Sequence, residues 1–274
     1  MSDPIRFALN HMLAPRLRFA AFAALARGLG VTDVEIRNDL AGVEIADQTP
    51  AARVRAEAAA AGVRLLTINA LQKFEWWDDT RAAEAESLAA YAAEAGAAAL
   101  VLCPLNSHDD RRDGAARAAD LRRALAGLAP ILARHGLRGF VEPLGFTECA
   151  LRSKAAAVAA IRELGLGERF ALVHDTFHHH LAGEPALFPA ETGLVHISGV
   201  EDAAVAVGDM RDAHRVLVGP RDRLGNLAQI TALRAAGYTG PFSFEPFAES
   251  VHRSADIAAD LAASIAFLRD PAAG

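Results

Sequence analysis

Phe170–Gly183, with the sequence FALVHDTFHHHLAG, is the stretch that decides the fold. It begins as an apolar run, Phe170–Val173, and then changes abruptly into residues that bind metals or move protons, namely Asp175 and His178–His180. An apolar run that ends in a carboxylate and imidazoles is typical of a buried β-strand with its chemistry at the C-terminal end. The (β/α)8 barrels place their active sites at this end of their strands.

Strand-like and helix-like segments alternate along the whole chain. Apolar runs predict strands at 5–9, 33–37, 64–69, 98–103, 137–142, 170–173, 194–197 and 242–245. Helical spacing predicts helices at 15–29, 50–61, 81–95, 154–164, 227–236 and 254–268, and a long helix that follows the loop 106–114, ends at His135 and is kinked or broken at Pro130. This alternation implies parallel strands with crossover helices, and eight units favour an α/β fold of the (β/α)8 TIM-barrel type over an open doubly wound sheet. No Gly-x-Gly-x-x-Gly follows the first strand, so nothing supports dinucleotide binding.

Length and composition indicate one soluble globular domain spanning residues 1–274. Of the 274 residues 52% are hydrophobic and 23% are charged, and the net charge of −6 argues against a nucleic-acid-binding surface. The N-terminal sequence lacks a signal-peptide pattern, and no apolar stretch is long enough for a membrane helix. Cys103 and Cys149 make no disulfide framework and are expected to be buried small hydrophobes. We therefore predict a cytoplasmic protein.

Metal-capable side chains stand at the ends of the last four predicted strands. They are Glu142, Asp175, His196 and Glu245. Each alone is explained by a helix cap, a salt bridge or a core histidine, but four at four successive strand ends indicate a shared site. Three carboxylates converge only if a cation neutralises them. Three oxygen donors and one nitrogen suit Mn²⁺, Zn²⁺, Mg²⁺ or Co²⁺ better than copper or an iron–sulfur cluster.

Several longer motifs resemble those of the xylose isomerase-like barrels, a group that contains sugar epimerases, hydroxypyruvate isomerases, inosose isomerases and dehydratases, and apurinic endonucleases. These motifs are FVEPLGFTE at 140–148, VHDTFHHHLAG at 173–183, LVHISGVED at 194–202, HRVLVGPRD at 214–222 and FSFEPF at 242–247. Within the group the sequence most resembles the 2-keto-myo-inositol (inosose) isomerases. That similarity extends to DVEIRNDL at 33–40, TINALQKF at 67–74 and CPL at 103–105.

The resemblance implies an isomerase that holds one divalent metal ion, with Mn²⁺ or Zn²⁺ first and Mg²⁺ or Co²⁺ as alternatives. Glu142, Asp175, His196 and Glu245 are then its four ligands. Members of the family move a proton between adjacent carbons through a cis-enediolate. Glu142 and Glu245 are then the base and acid on either side of a cyclic polyol ketone or ketose.

The resemblance also suggests which residues contact the substrate. In the Asp-x-x-His pattern the histidine touches a substrate oxygen, which points to His178, whereas His179 is expected to point away. Arg215 matches a substrate-contacting or loop-fixing arginine, with a surface salt bridge as the alternative, and the earlier strand ends add an amide and guanidinium cup. The predicted substrate-contacting set is Asn10, Arg37, Asn69, Glu148, His178, His180 and Arg215.

Two features leave the exact substrate open. Many relatives have Pro-Gly-x-Gly-x-x-Asp after the seventh strand, where this chain has GPRDRLGN at 219–226. The aromatic segment FEWW at 74–77 is compatible with a substrate wall, a lid over the core or an oligomer contact. A ketose 3-epimerase, a hydroxypyruvate isomerase-like enzyme and a dehydratase or lyase therefore remain alternatives, and homo-oligomerisation stays open.

Two other function classes are disfavoured. The apurinic endonucleases need additional histidines at the ends of strands three and four, where this chain has Asn69 and Cys103. A barrel that only binds a sugar is expected to lack a ligand or a base, and none of the four is missing.

Overall fold

Eight parallel strands close into a barrel in the computed structural model, which describes residues 4–270. Each strand pairs with its neighbours in sequence, and the first pairs with the last. The strands are Phe7–Asn10 (β1), Asp33–Arg37 (β2), Arg64–Gln72 (β3), Ala99–Cys103 (β4), Arg138–Val141 (β5), Phe170–Asp175 (β6), Thr192–Ile197 (β7) and Phe242–Phe244 (β8). The predicted α/β barrel is confirmed.

Helices follow the strands and cover the outside of the barrel. They are Phe19–Gly28 (α1), Ala51–Ala61 (α2), Asp79–Ala95 (α3), Gly114–Arg134 (α4), Lys154–Glu163 (α5), Thr176–Ala182 (α6), Asn226–Ala235 (α7), Glu249–His252 (α8) and Ile257–Arg269 (α9). All seven predicted helices are present. Of the kink or break expected at Pro130, the break is wrong, because α4 continues through this residue as one helix, and the kink stays a prediction.

Helix α6 was not predicted, because its seven residues TFHHHLA contain a single apolar pair at helical spacing, Phe177 and Leu181. The helix starts where β6 ends, since Asp175 serves as its N-cap. The Oδ1 atom of Asp175 accepts hydrogen bonds from the backbone N–H groups of Phe177 and His178 at 2.7 and 3.0 Å. The residue that delivers a carboxylate to the barrel mouth therefore also starts the helix that carries the histidines.

Two of the three apolar clusters among the described residues pack against the strands of the barrel, and the third lies around Phe146 and Phe177. The larger one lies between the strands and the surrounding helices, and a smaller one contains Val101, Val173 and Leu194. Each of these three residues precedes a polar strand-end residue by two positions, at Cys103, Asp175 and His196. Because side chains alternate between the two faces of a strand, the polar residues share a face with the small cluster. Inward-facing apolar residues thus form a floor beneath the strand ends.

A close approach at Gly139 shows why a glycine stands in the middle of β5. A Cβ atom at this position would lie 2.8 Å from the ring of Phe170 and 2.9 Å from Leu102. The missing side chain lets the aromatic ring of the neighbouring strand fill the space. Within residues 4–270, no helix combines the length and the apolar character needed to cross a bilayer.

Candidate metal centre and substrate cavity

The four predicted ligands converge at the C-terminal ends of β5–β8. Glu142 and Glu245 follow β5 and β8 directly, and their backbone N–H groups still bond to the sheet, at Leu102 and Ile197. One ligand atom from each of the four residues lies within 4.8 Å of the others. All four residues are buried, and none is more than 4% exposed. The four residues are Glu142, Asp175, His196 and Glu245. The fold brings together what the sequence suggested.

Two arginines and the imidazole contact these carboxylates. Nη2 of Arg215 lies 2.6 Å from Asp175 Oδ2 and 3.0 Å from Glu245 Oε2. Nη1 of Arg37 lies 2.8 Å from the other Glu245 oxygen. Nδ1 of His196 lies 3.0 Å from Glu142 Oε1 and 3.2 Å from Glu245 Oε2. Glu245 is therefore the predicted ligand that contacts both guanidinium groups and the imidazole.

The electrostatics of the centre follow from these contacts. Burial opposes the charged form of Glu245, but His196, Arg215 and Arg37 outweigh it and hold the pKa of Glu245 well below its usual range. Burial also opposes the charged form of His196. The carboxylates of Glu245, Glu35 and Glu142 outweigh it and raise the pKa of this imidazole well above its usual range. Each shift thus results from neighbours of opposite charge, which outweigh the effect of burial.

The donor set fits a divalent cation. Buried carboxylates in and beneath the centre, Glu142, Asp175, Glu245 and Glu35, face two guanidinium groups, those of Arg37 and Arg215. The same two guanidinium groups also pair with Asp39 and Asp212, so the centre keeps an excess of negative charge that a cation can neutralise. Three carboxylates and one imidazole are also ligands that Mn²⁺, Zn²⁺ and Co²⁺ accept.

Glu35, in the middle of β2, is a member of the site that was not predicted. It is fully buried, and its Oε2 atom lies 3.2 Å from Nε2 of His196. The available signal was a charged residue at the centre of a strand whose two faces are both buried. That signal does not show which partners a carboxylate has.

A cavity of about 280 Å³ opens beside the metal-capable residues. Of the predicted substrate-contacting residues, it is lined by Arg37, Asn69, His178 and Arg215. Two buried polar atoms in its lining, Asn69 Oδ1 and His178 Nδ1, have no hydrogen-bond partner within the protein. Phe146 and Phe247 supply its aromatic surface. The cavity thus combines rings with polar atoms that a ligand can satisfy.

The other three predicted substrate contacts do not line this cavity. Asn10 lies below it, and its amide nitrogen is 3.2 Å from Glu245 Oε1. Glu148 accepts a hydrogen bond from its neighbour Thr147, and His180 is partly buried on the outer side of α6. Glu148 in the loop after β5 and His180 on α6 therefore lie outside the cavity.

Two further expectations need correction. The alternative of a surface salt bridge does not describe Arg215, which is 1% exposed and lies between two of the predicted metal ligands, although its Nη1 atom also pairs with the half-exposed Asp212. Cys103 is only partly buried, lines the cavity and has its Sγ atom 3.4 Å from Glu142 Oε2, whereas Cys149 is buried as expected. Burial and the neighbouring Glu142 raise the pKa of the Cys103 thiol well above its usual range, so this residue stays a neutral thiol.

The segment FEWW does not form the wall of the cavity. Phe74 and Glu75 are buried, and Trp77 packs against Gly127 of α4. Trp76 is 50% exposed, with the guanidinium of Arg112 4.8 Å from its ring centre. The segment is thus mainly a cover for the core, and a role of Trp76 in an oligomer contact stays a prediction.

The loop at 219–226, where the sequence departs from many relatives, is fixed by Asp222. Its carboxylate accepts hydrogen bonds from the backbone N–H groups of Val200, Leu224 and Asn226. None of the residues of this loop lines the cavity.

A larger cavity, of about 790 Å³, lies at the opposite end of the barrel. Its lining contains arginines and apolar residues but no carboxylate, imidazole or thiol. The smaller cavity is therefore the better candidate for an active site, at the end where barrel enzymes carry out their chemistry.

Comparison with known proteins agrees with this architecture. Residues 23–270 match the family model described as xylose isomerase-like TIM barrel. The chain belongs to this family. No curated protein matches the sequence.

Solved structures of the xylose isomerase-like family superimpose over nearly the whole chain. A xylose isomerase domain-containing protein from Salmonella typhimurium LT2 is 33% identical, with a TM-score of 0.88 and 98% of each chain covered. The IolI protein with a bound zinc atom is 20% identical, with a TM-score of 0.84 and coverage of 96% and 97%. D-psicose 3-epimerase from Clostridium cellulolyticum H10, solved with D-tagatose, is 14% identical, with a TM-score of 0.74 and coverage of 97% and 98%. The last two likenesses show the fold alone.

Proposed function

We propose that this protein is a metal-dependent isomerase of a polyol ketone, with 2-keto-myo-inositol (an inosose) as the substrate. The observation that carries the proposal is the position of Glu142 and Glu245, since both border the cavity and both belong to the four-residue metal-capable set. A zinc atom in the related IolI structure supports Zn²⁺, with Mn²⁺ as the next choice.

The proposed reaction transfers a proton between two adjacent carbons through a cis-enediolate. A bound divalent ion supplies the positive charge that makes the C–H next to a carbonyl acidic. The ionised Glu245 would act as the base that removes the proton from the first carbon, whose hydroxyl proton passes to the carbonyl oxygen of the second. Glu142, carrying a proton for this step, would protonate the second carbon, so that the pair ends with one proton exchanged. Arg215 and Arg37 hold Glu245 ionised, while the thiol of Cys103 lies within hydrogen-bond distance of Glu142.

The cavity favours an uncharged substrate with several hydroxyl groups. Hydroxyls can satisfy the unpartnered Asn69 Oδ1 and His178 Nδ1 atoms, which otherwise stay buried without a hydrogen bond. The rings of Phe146 and Phe247 suit the C–H faces of a polyol ring. Two of the cations in the lining, Arg37 and Arg215, are already paired with carboxylates, which leaves the exposed Lys73 as the cation that a phosphate group could reach. A phosphate group would also face the carboxylates of Glu142 and Glu245, which disfavours a phosphorylated substrate.

Several further properties belong to the same proposal. We expect residues 1–274 to form one domain that acts in the cytoplasm in carbohydrate metabolism, within inositol catabolism. We expect neither nucleic acid nor membrane as a partner, and a homo-oligomer remains open to measurement.

The decisive experiment is a proton-transfer assay in deuterated water. Protein loaded with Zn²⁺ or Mn²⁺ is incubated with 2-keto-myo-inositol and followed by NMR. We expect conversion to an isomeric inosose, with deuterium at one carbon. No change in the inosose would refute the substrate assignment.

A panel of D-psicose, D-tagatose and hydroxypyruvate separates the alternatives. Epimerisation of a ketose indicates a 3-epimerase, interconversion of hydroxypyruvate indicates a hydroxypyruvate isomerase-like enzyme, and loss of water from the inosose indicates a dehydratase.

A further inference from the structure

The two ring nitrogens of His196 face opposite sides of the site. Nδ1 points to the metal-capable carboxylates, 3.0 Å from Glu142 and 3.2 Å from Glu245. Nε2 points below them, 3.2 Å from Oε2 of Glu35. Only one ring nitrogen can therefore serve as a metal ligand, and the other has a carboxylate as its partner.

Glu35 is held rigidly for this role. The hydroxyl of Thr67 donates to Oε2 at 2.5 Å, and the hydroxyl of Ser243 donates to Oε1. The amide N–H of Asn69, which can only donate, shares the same Oε2 atom. Because Thr67, Ser243 and Asn69 all donate to it, the Glu35 carboxylate is an acceptor, and the proton between Glu35 and His196 is placed on Nε2.

The same carboxylate orients a residue of the substrate cavity. The amide nitrogen of Asn69 donates to Glu35 Oε2 and to Thr67 Oγ1, at 3.0 Å in both cases. With its nitrogen fixed in this way, the amide turns its oxygen away from Glu35. That oxygen is the unpartnered Oδ1 atom of the cavity lining.

We propose that Glu35 is a positioning residue of the metal centre, which accepts the Nε2–H of His196 and thereby directs the Nδ1 lone pair to the metal. The inference rests on the metal site of the proposed function, not on its substrate. Histidine ligands with such a carboxylate partner lose metal affinity when the partner is replaced. A role limited to stability predicts no effect on metal affinity or on the tautomer of His196.

The first test compares Glu35→Gln with Glu44→Gln for Zn²⁺ affinity, measured by competition with a chromophoric chelator. Glu44 is a matched control, since it is equally buried but accepts a hydrogen bond from the backbone N–H of Phe19, far from the ligands. We expect Glu35→Gln to weaken Zn²⁺ binding by about 10- to 100-fold and Glu44→Gln to leave it within about twofold. Wild-type affinity in a folded Glu35→Gln protein overturns the inference.

A second measurement decides the case even if Glu35→Gln does not fold. The Zn²⁺-loaded wild type, labelled with ¹⁵N-histidine, is studied by NMR, and the His196 signals are assigned from their loss in His196→Asn. We expect a protonated Nε2 and a zinc-bound Nδ1, whereas a protonated Nδ1 overturns the inference. A wild type that binds no Zn²⁺ refutes the metal site itself, while wild-type binding without inosose turnover refutes only the proposed substrate.

Discussion

Lys154, at the start of α5, lies in a buried cluster with two imidazoles. It is 4% exposed, and its Nζ atom lies 2.9 Å from Nδ1 of both His174 and His179. The nearby Glu184 uses its carboxylate for backbone N–H groups at the start of the helix. Burial therefore lowers the pKa of Lys154 from 10.5 to about 8.

This shift costs stability over a defined pH range. The folded protein releases the proton near pH 8 and the unfolded chain near pH 10.5. At about 1.4 kcal/mol per pKa unit, the difference between 10.5 and about 8 costs about 3.5 kcal/mol. The unfolded chain binds more protons than the folded one between the two pKa values, so the free energy of unfolding rises with pH in this window. The cost is fully present below pH 8 and is absent above pH 10.5.

The variant Lys154→Met removes the titrating group and keeps the length of the side chain. We expect the free energy of unfolding of the wild type, minus that of Lys154→Met, to increase by up to about 3 kcal/mol between pH 7.5 and 10.5. Urea unfolding followed by circular dichroism measures this difference, in which the titration of all other groups cancels. Replacing the Lys154 side chain, which lies between two imidazoles, also changes the free energy of unfolding by a constant amount that does not depend on pH in this range.

The sequence offers a clean control, because Lys73 and Lys154 are its only lysines. Lys73 is exposed, so Lys73→Met should not change the pH dependence of stability. If the difference between wild type and Lys154→Met is constant across the window, Lys154 has the same pKa in the folded and unfolded states. Burial would then not lower the pKa of Lys154, contrary to this prediction.

Three further predictions concern the site and the barrel. Glu142→Gln and Glu245→Gln should each reduce turnover of the inosose by at least about 100-fold with little loss of secondary structure, and activity in both variants would contradict the acid–base assignment. His178→Ala should lower kcat/KM for the inosose by about 10-fold or more, and His180→Ala, outside the cavity, should change it little; equal effects would contradict the cavity assignment. Gly139→Ala should lower the free energy of unfolding by about 1–3 kcal/mol in urea titrations, because the added Cβ meets the ring of Phe170. Gly167→Ala is the control, since its Cβ meets no atom within 4 Å and should leave the free energy of unfolding nearly unchanged.

Local patterns were sufficient for the architecture. The predicted strand 33–37 coincides with β2, and Gly62 and Gly96 end α2 and α3 in the left-handed conformation that favours glycine. Side-chain alternation along parallel strands then predicted that the polar residues at the strand ends would face the inside of the barrel. Local patterns did not predict α6. This helix is only seven residues long, three of them are histidines, and it starts at the Asp175 cap.

The sequence by itself determined the order of the barrel and the four metal-capable residues, because strand periodicity and parallel pairing bring successive strand ends to one rim. The separation of His178 from His179 also followed from the pattern, and His179 does turn away, towards Lys154. Only the tertiary structure decided the contacts of Glu35, Arg215 and Glu148. The partners of Glu35 come from β3, β7 and β8, and those of Arg215 from β6 and the end of β8. A buried charge is defined by which distant groups surround it, and that arrangement exists only after the barrel has closed.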